Sequence, residues 1–123
     1  MLECLFVGLG GFLGSVARYL IDLIAVETSS GFPVKTFCIN ILGSFVLGIV
    51  SETALRDPTF SRHLVLFLQI GVCGGFTTFS TFSNEALRLM AGGRQGVALA
   101  YMCASVVLGL LAVYAGWLVA RVR

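Results

Sequence analysis

Charged side chains are scarce in this sequence. Lys, Arg, Asp and Glu together make up 11% of the 123 residues, whereas hydrophobic residues make up 58%. Because a soluble domain carries about 25% charged residues, this composition indicates a protein that folds in a lipid bilayer. The net charge of +2 is small and scattered, which argues against a nucleic-acid partner. The only two prolines, Pro33 and Pro58, lie between apolar segments.

Cysteine pairs at short spacing are also lacking, and the N-terminal run does not have the pattern of a cleavable leader. Each of the four cysteines lies in an apolar segment, with no CxxC pair and no His at metal-binding spacing: Cys4, Cys38, Cys73 and Cys103. We therefore expect free, buried thiols. The run MLECLFVGLGG has neither a basic region nor a small-residue cleavage site, so it predicts a retained first span rather than a signal peptide.

Acidic residues are missing from the centres of the apolar segments. All six lie near segment ends or in the joining stretches: Glu3, Asp22, Glu27, Glu52, Asp57 and Glu85. His63 lies at a segment boundary. A proton-coupled antiporter generally needs a titratable group in its pathway. The sequence therefore favours passive movement of a solute over coupled transport.

Four apolar stretches are long enough to cross a bilayer as helices, which takes about 20 residues each. They cover residues 4–25, 36–55, 64–90 and 96–119. The joining segments ETSSGFPVK, RDPTFSR and AGGR are short and contain helix-breaking residues. We predict an all-α membrane protein, residues 1–123 forming one domain of four antiparallel helices with both termini on one side.

The eight basic residues divide evenly between the two ends of the predicted bundle. The end with the termini has Arg56, Arg62, Arg121 and Arg123, and the other has Arg18, Lys35, Arg88 and Arg94. The positive-inside rule therefore sets no clear orientation. Either the balance is accidental and the first span decides, or the chain inserts both ways up and pairs with its own inverted copy.

Small residues recur at four-residue spacing in three of the segments. They form pairs: Gly10 and Gly14, with Gly11 and Ser15 beside them; Ser44 and Gly48; Ser105 and Gly109; and Ala112 and Gly116. In lipid such faces let helix backbones approach closely. We predict tight helix packing and an oligomer.

Asn40 is a polar residue within the second apolar segment, one turn after Thr36. An amide without partners costs several kcal/mol in hydrocarbon, so its side chain should face protein or water. It either forms an interhelical hydrogen bond that holds the bundle together or contributes to a polar pathway.

The run GGFTTFSTFS places the most polar residues of the third segment near its midpoint. The pair Gly74 and Gly75 is easily unwound, so we predict a third helix that is broken there. Freed carbonyls can ligate a small cation, and hydroxyls can donate to an anion. The alternative is a kinked packing interface.

Aromatic and hydroxyl side chains flank this point. Phe79 and Phe82 share a helical face, either as ordinary core residues or with their positive ring edges towards an anion. In the fourth segment Tyr101 and Ser105 predict a hydroxyl ladder. It is short, because Gly109 and Val113 continue the face without donors.

Three runs, GGFLGSVARY, NILGSFVLG and GVCGGFTTFSTFSNE, closely resemble the Fluc fluoride channel family, also called CrcB. The resemblance extends over essentially the whole chain. It implies an antiparallel, dual-topology homodimer with two separate fluoride pores. It further implies passive export of fluoride from the cytoplasm across the plasma (inner) membrane of a bacterium or other microbe, which gives fluoride resistance.

The resemblance also implies roles for single residues. Asn40 would donate its amide to fluoride, Arg18 would lie at an aqueous vestibule, and a structural sodium ion at the dimer interface would be held by the backbone carbonyls of Gly74 and Thr77. The remaining pore residues would be Phe79, Phe82, Ser80, Thr81, Tyr101 and Ser105.

Two other classes have four spans. Small multidrug-resistance transporters need a carboxylate within the first helix, and here Glu3 lies at its end. A non-transporting assembly subunit would use Asn40 and the hydroxyl run only for cohesion. Fluoride efflux from liposomes distinguishes the channel, the coupled antiporter and the subunit.

Overall fold

The computed structural model describes residues 1–122 and contains four long apolar helical segments. Two are single helices near the N-terminus, α1 (Leu2–Asp22) and α2 (Val34–Arg56). The third crossing, Arg62–Ala91, is subdivided, and α6 (Gln95–Val122) follows it. The prediction of an all-α protein with four membrane-length helices is confirmed. Arg123, one of the eight basic residues counted above, lies outside the described residues.

The joining segments begin and end close to the predicted positions. The largest difference is at α1, which ends at Asp22 instead of continuing to residue 25. Gly31 and Gly93 have φ angles of 74° and 77°, in the left-handed region that glycine adopts without steric cost. After α2, the Thr59 hydroxyl and backbone N–H both donate to the Asp57 carboxylate and lower the pKa of that group.

The third crossing is made of four consecutive pieces. They are α3 (Arg62–Val65), a π-helix (Leu66–Cys73), α4 (Gly74–Phe76) and α5 (Phe79–Ala91). Between α4 and α5, Thr77 and Thr78 have extended backbone angles, with ψ values of 157° and 119°. The sequence did not predict the π-helix.

The sequence suggested that the third helix would be broken at the glycine pair, but the extended backbone lies elsewhere. Gly74 and Gly75 are both helical, and the non-helical residues follow them at Thr77 and Thr78. Gly75 serves a packing role, because a Cβ atom added there would lie 3.1 Å from the Cα of Gly11 in α1. Its lack of a side chain allows α1 to approach, and it does not unwind the helix.

Glycines mediate close approach of helices within the chain. Gly10 and Gly14 of α1 face the backbone of the third crossing at Gly71, Val72 and Gly75. Likewise, α2 and α6 meet where Gly48 faces Val113 and where Gly116 faces the backbone near Ile49. The predicted tight packing of small faces is therefore present between helices of one chain.

Substitution of Gly14 by alanine should lower the thermal unfolding temperature in detergent. An added Cβ would lie 2.8 Å from the backbone nitrogen of Phe76, so the two backbones must separate. We expect a loss of about 1–3 kcal/mol, typical of overpacking. Gly8→Ala is the matched control, because nothing lies within 4 Å of its added Cβ. Equal unfolding temperatures for the two variants would contradict this account of α1 packing.

The cysteines follow the prediction only in part. All four are free, but only Cys73 is buried, whereas Cys4, Cys38 and Cys103 are exposed on the single chain. Residues of an apolar helix need not face the bundle, because lipid solvates the outward side as well. Exposed thiols are the consequence of that outward placement.

Ion pairs join the helices at one end of the bundle. At the end that holds the N-terminus, the buried Glu52 carboxylate accepts from Arg56 at 3.0 Å and from Arg121 of α6 at 2.8 Å. Arg62 pairs with Glu3 at 2.9 Å. At the opposite end, Lys35 donates instead to a backbone carbonyl, that of Asp22.

Candidate ion pathway

A cavity of about 340 Å³ lies between α2, the third crossing and α6. Two phenylalanine rings line it, those of Phe79 and Phe82. Its polar side chains are those of Asn40, Ser44, Gln69, Thr77, Thr78 and Ser105. The cavity therefore combines hydrogen-bond donors with aromatic rings inside a membrane-length bundle.

Asn40 fixes the extended residue Thr78 by two hydrogen bonds. Its amide nitrogen donates to the Thr78 carbonyl at 3.1 Å, and its carbonyl oxygen accepts from the Thr78 backbone N–H at 2.8 Å. The interhelical hydrogen bond that the sequence left as one alternative is thus present. An asparagine amide has two N–H hydrogens, so one donor remains after this pairing.

Two backbone N–H groups of the third crossing donate to side chains instead of to helical carbonyls. In an α-helix the N–H of Thr78 would bond the carbonyl of Gly74, and the N–H of Thr81 would bond that of Thr77. Here the Thr78 N–H donates to Asn40, and the Thr81 N–H donates to the Thr78 hydroxyl at 3.2 Å. The carbonyls of Gly74 and Thr77 therefore lose their helical donors.

The two cavity phenylalanines lie close together in different environments. Their ring centroids are 5.7 Å apart, with the ring planes inclined by 39°. Phe79 is 79% exposed on the single chain, whereas Phe82 packs against Tyr101 with centroids 5.0 Å apart. Phe82 is held by the core, and Phe79 lies at the open side of the cavity.

Ser80 and Thr81 do not line this cavity. The Thr81 hydroxyl accepts from the Thr78 hydroxyl at 3.1 Å, and the Ser80 hydroxyl is 3.4 Å from that of Thr78. These hydroxyls surround the start of α5, where the Thr78 side chain caps the helix. Thr81 also lines a second cavity of about 530 Å³, together with Glu85.

The Tyr101 hydroxyl does not bond Ser105, its neighbour in the predicted ladder, but a residue of another helix. Tyr101 is fully buried, and its hydroxyl donates to one oxygen of Glu85 at 2.8 Å. The Thr36 hydroxyl donates to the other oxygen, also at 2.8 Å. Glu85 thereby joins α2, α5 and α6.

Sequence reasoning missed this role of Glu85. It grouped Glu85 with acids near segment ends, whereas α5 continues for six residues beyond it, from 85 to 91. The signal that could have found it was Thr36, one turn from Asn40 on the same helix face. A second missed contact is the hydrogen bond from the Gln69 amide to the Ser51 hydroxyl.

Two of the predicted residues have buried polar atoms without a hydrogen-bond partner among residues 1–122. They are Ser105, at its hydroxyl, and Arg18, at its Nε atom. Ser105 is one of the residues that line the cavity, and its buried hydroxyl has no protein partner there. Arg18 is not among the residues that line this cavity.

Loss of the Tyr101 hydroxyl should destabilise the bundle. In Tyr101→Phe the Glu85 carboxylate keeps only its bond from Thr36. A hydrogen bond to a charged group contributes about 1.5–3 kcal/mol, so the thermal unfolding temperature should fall. Tyr114→Phe, at a residue that is 53% exposed, is the matched control. A fall of equal size in both variants would refute the special role of the Glu85 contact.

Carboxylate, thiolate and imidazole groups do not supply a metal site in the described part of the chain. No group of three or more His, Cys, Asp or Glu residues that could hold a metal ion occurs within residues 1–122. The diverted carbonyls of Gly74 and Thr77 are oxygen donors of the kind that hard cations prefer.

Comparison with known proteins gives consistent matches over nearly the full chain. A family model described as CrcB-like protein, Camphor Resistance (CrcB), matches residues 5–117. A Chlorobaculum tepidum protein named fluoride-specific ion channel FluC is 46% identical over 121 residues, covering 98% of this chain and 96% of that protein. The Chlorobium luteolum protein of the same name is 45% identical, covering 98% and 93%. A Bacteroides fragilis protein, also so named, is 44% identical and covers 94% of each.

Proposed function

Because this chain belongs to the CrcB family, we propose that it is a fluoride-specific ion channel that conducts fluoride passively across a membrane. The family is one of ion channels and not of enzymes. Four helices of membrane length fit a multi-pass membrane protein. The relatives' names indicate that the ion is fluoride, and the cavity beside Asn40 contains the side chains that could bind it.

The observation that carries this proposal is the pairing of Asn40 with extended Thr78 beside two phenylalanine rings. Fluoride entering this cavity must exchange water for protein donors. The second N–H of Asn40 and the unpartnered hydroxyl of Ser105 can donate to it. The positive ring edges of Phe79 and Phe82 attract an anion weakly enough to let it leave.

Ser80, Thr81 and Arg18 have supporting roles in this proposal. The hydroxyls of Ser80 and Thr81 surround the Thr78 hydroxyl and help to hold the extended segment. The interruption at Thr77 and Thr78 then divides the third crossing at membrane depth, where irregular backbone is tolerated beside a cavity. Arg18 lies one turn before the end of α1, where a guanidinium attracts anions from water.

We propose further that the working unit is an antiparallel homodimer with two pores. Phe79 is exposed on the single chain, and exposed Gly74 has a carbonyl without its helical donor. A second copy covering this side would remove both from lipid. The even division of basic residues favours insertion in both orientations.

Several lysines added at one end should abolish flux unless an oppositely biased copy is co-expressed. Full activity of a single-orientation population would refute the inverted dimer.

A structural sodium ion at the dimer interface is the third part of the proposal. The carbonyls of Gly74 and Thr77 fit it, because their helical donors are diverted and two copies would supply four oxygens. The positive charge of the ion would attract the negative oxygen ends of these carbonyls from both copies and so hold the copies together. Sodium should raise the thermal unfolding temperature relative to a large organic cation, and an equal temperature in both would refute the site.

Physiologically, we propose export of fluoride across the inner membrane of a microbe, which confers fluoride resistance. Hydrogen fluoride enters by diffusion and dissociates at neutral pH, and the trapped anion leaves through the channel down its electrochemical gradient. The absence of an acid at the centre of the cavity lining supports movement without proton coupling.

Efflux from liposomes tests the function directly. Purified protein in vesicles loaded with fluoride should release it rapidly without a proton gradient and should release chloride far more slowly. A requirement for a pH gradient would indicate a coupled antiporter. Efflux no faster than from protein-free vesicles would leave only the assembly subunit.

A further inference from the structure

The last helix supplies no side-chain donor beyond Ser105 on the face that lines the cavity. Gly109 has no side chain, and the nearest atom to a Cβ added there is the Ser44 hydroxyl oxygen, at 4.0 Å. One turn further, the backbone of Val113 packs against Gly48. An anion that moves past Ser105 must therefore find its next donor on another helix.

The second helix has a stripe of polar residues that begins at Asn40. Asn40, Ser44 and Ser51 are separated by four and seven residues, so they lie within about 40° of one another around the helix. Their span of 11 residues rises about 16 Å, roughly half of the hydrocarbon thickness. Asn40 and Ser44 both line the cavity.

The π-helix brings a further amide to the end of this stripe. Gln69 lines the same cavity as Asn40 and Ser44, and its side-chain nitrogen donates to the Ser51 hydroxyl. That bond orients the amide and uses one of its two N–H hydrogens. The second N–H is left for a ligand in the cavity, as it is at Asn40.

We propose that fluoride passes from the donors of Asn40 and Ser105 to the Ser44 hydroxyl and then to the Gln69 amide. The second helix and the π-helix thereby replace the donors that Gly109 and Val113 do not provide. This inference rests on the proposed channel function and adds two residues to the pathway, Ser44 and Gln69. Ser51 is a positioning residue, because it acts through Gln69.

The test moves one hydroxyl from α2 to the facing position of α6. Ser44→Ala should lower fluoride efflux from liposomes roughly tenfold, the factor expected when one hydrogen bond to an anion is lost. Adding Gly109→Ser to that variant should restore efflux, because a Cβ added at Gly109 would lie 4.0 Å from the position of the Ser44 hydroxyl oxygen, with no other side chain or neighbouring helix closer. Gln69→Leu should also lower efflux roughly tenfold.

Thr53→Val is the matched control. Its hydroxyl lies on the same helix but bonds the carbonyl of Ile49 in its own helix, so its loss should leave efflux unchanged. Unchanged efflux in Ser44→Ala or in Gln69→Leu overturns the proposal, as does a loss that Gly109→Ser does not restore. These outcomes presuppose efflux by the unmodified chain. If vesicles with the unmodified chain release fluoride no faster than protein-free vesicles, the channel function is overturned, and this inference with it.

Discussion

Replacement of Asn40 by leucine should reduce fluoride efflux from liposomes by at least about 100-fold. The change removes both hydrogen bonds that hold Thr78 in its extended conformation, and with them the amide donor of the cavity. Each buried backbone group left without a partner costs about 1–3 kcal/mol, so the extended segment should rearrange. Phe79 follows Thr78 directly and would be displaced with it.

The comparison with Asn40→Asp separates the two parts of this effect. Aspartate can still accept from the Thr78 N–H, but it cannot donate to the Thr78 carbonyl and its charge repels an anion. We expect that variant to conduct as poorly as Asn40→Leu while it unfolds at a higher temperature. Cys38→Ser, at an exposed position of the same helix, should conduct normally. Efflux by Asn40→Leu within tenfold of the unmodified protein would refute the central role of the Asn40–Thr78 pair.

The second large effect is expected from the phenylalanines. Phe79→Ile and Phe82→Ile should each lower fluoride efflux by about tenfold or more, because isoleucine keeps the apolar bulk but has no positive ring edge. Phe82→Ile should be the less stable variant, since Phe82 packs against Tyr101 and Phe79 is mostly exposed.

The control for these variants is Phe12→Ile, which changes an exposed ring on α1. All three proteins should elute from a sizing column at the position of the unmodified protein. Undiminished efflux in both Phe79→Ile and Phe82→Ile would show that the rings serve packing alone, which was the other interpretation of their spacing.

The four helices could be predicted from sequence because hydropathy and length are local properties. The polar run of the third segment could be recognised for the same reason, and the extended residues Thr77 and Thr78 lie within it. The extended residues could not be located, since glycine marks where a helix is easily unwound but not where tertiary contacts unwind it. The contact at the extended segment is that of Asn40 with Thr78. The glycine pair remains helical, and Gly75 packs against Gly11 of α1.

Glu85 shows the second limit of sequence reasoning. Its position along the chain suggested a solvated helix end, and only the relative rotation of three helices brings it to Thr36 and Tyr101. The π-helix was hidden for a related reason. Its residues are uniformly apolar except Gln69, so no change of pattern distinguishes it from an α-helix.

The two ends of the bundle differ in the groups that their basic side chains contact. Arg56, Arg62 and Arg121 pair with carboxylates at one end, whereas Lys35 and Arg94 donate to backbone carbonyls at the other. A pore bounded by such unequal mouths should rectify, passing more current in one direction than in the other. Two inverted copies, as proposed above, would cancel this inequality, so a current–voltage relation that is symmetrical about zero voltage in symmetrical solutions would be the electrical mark of the inverted pair.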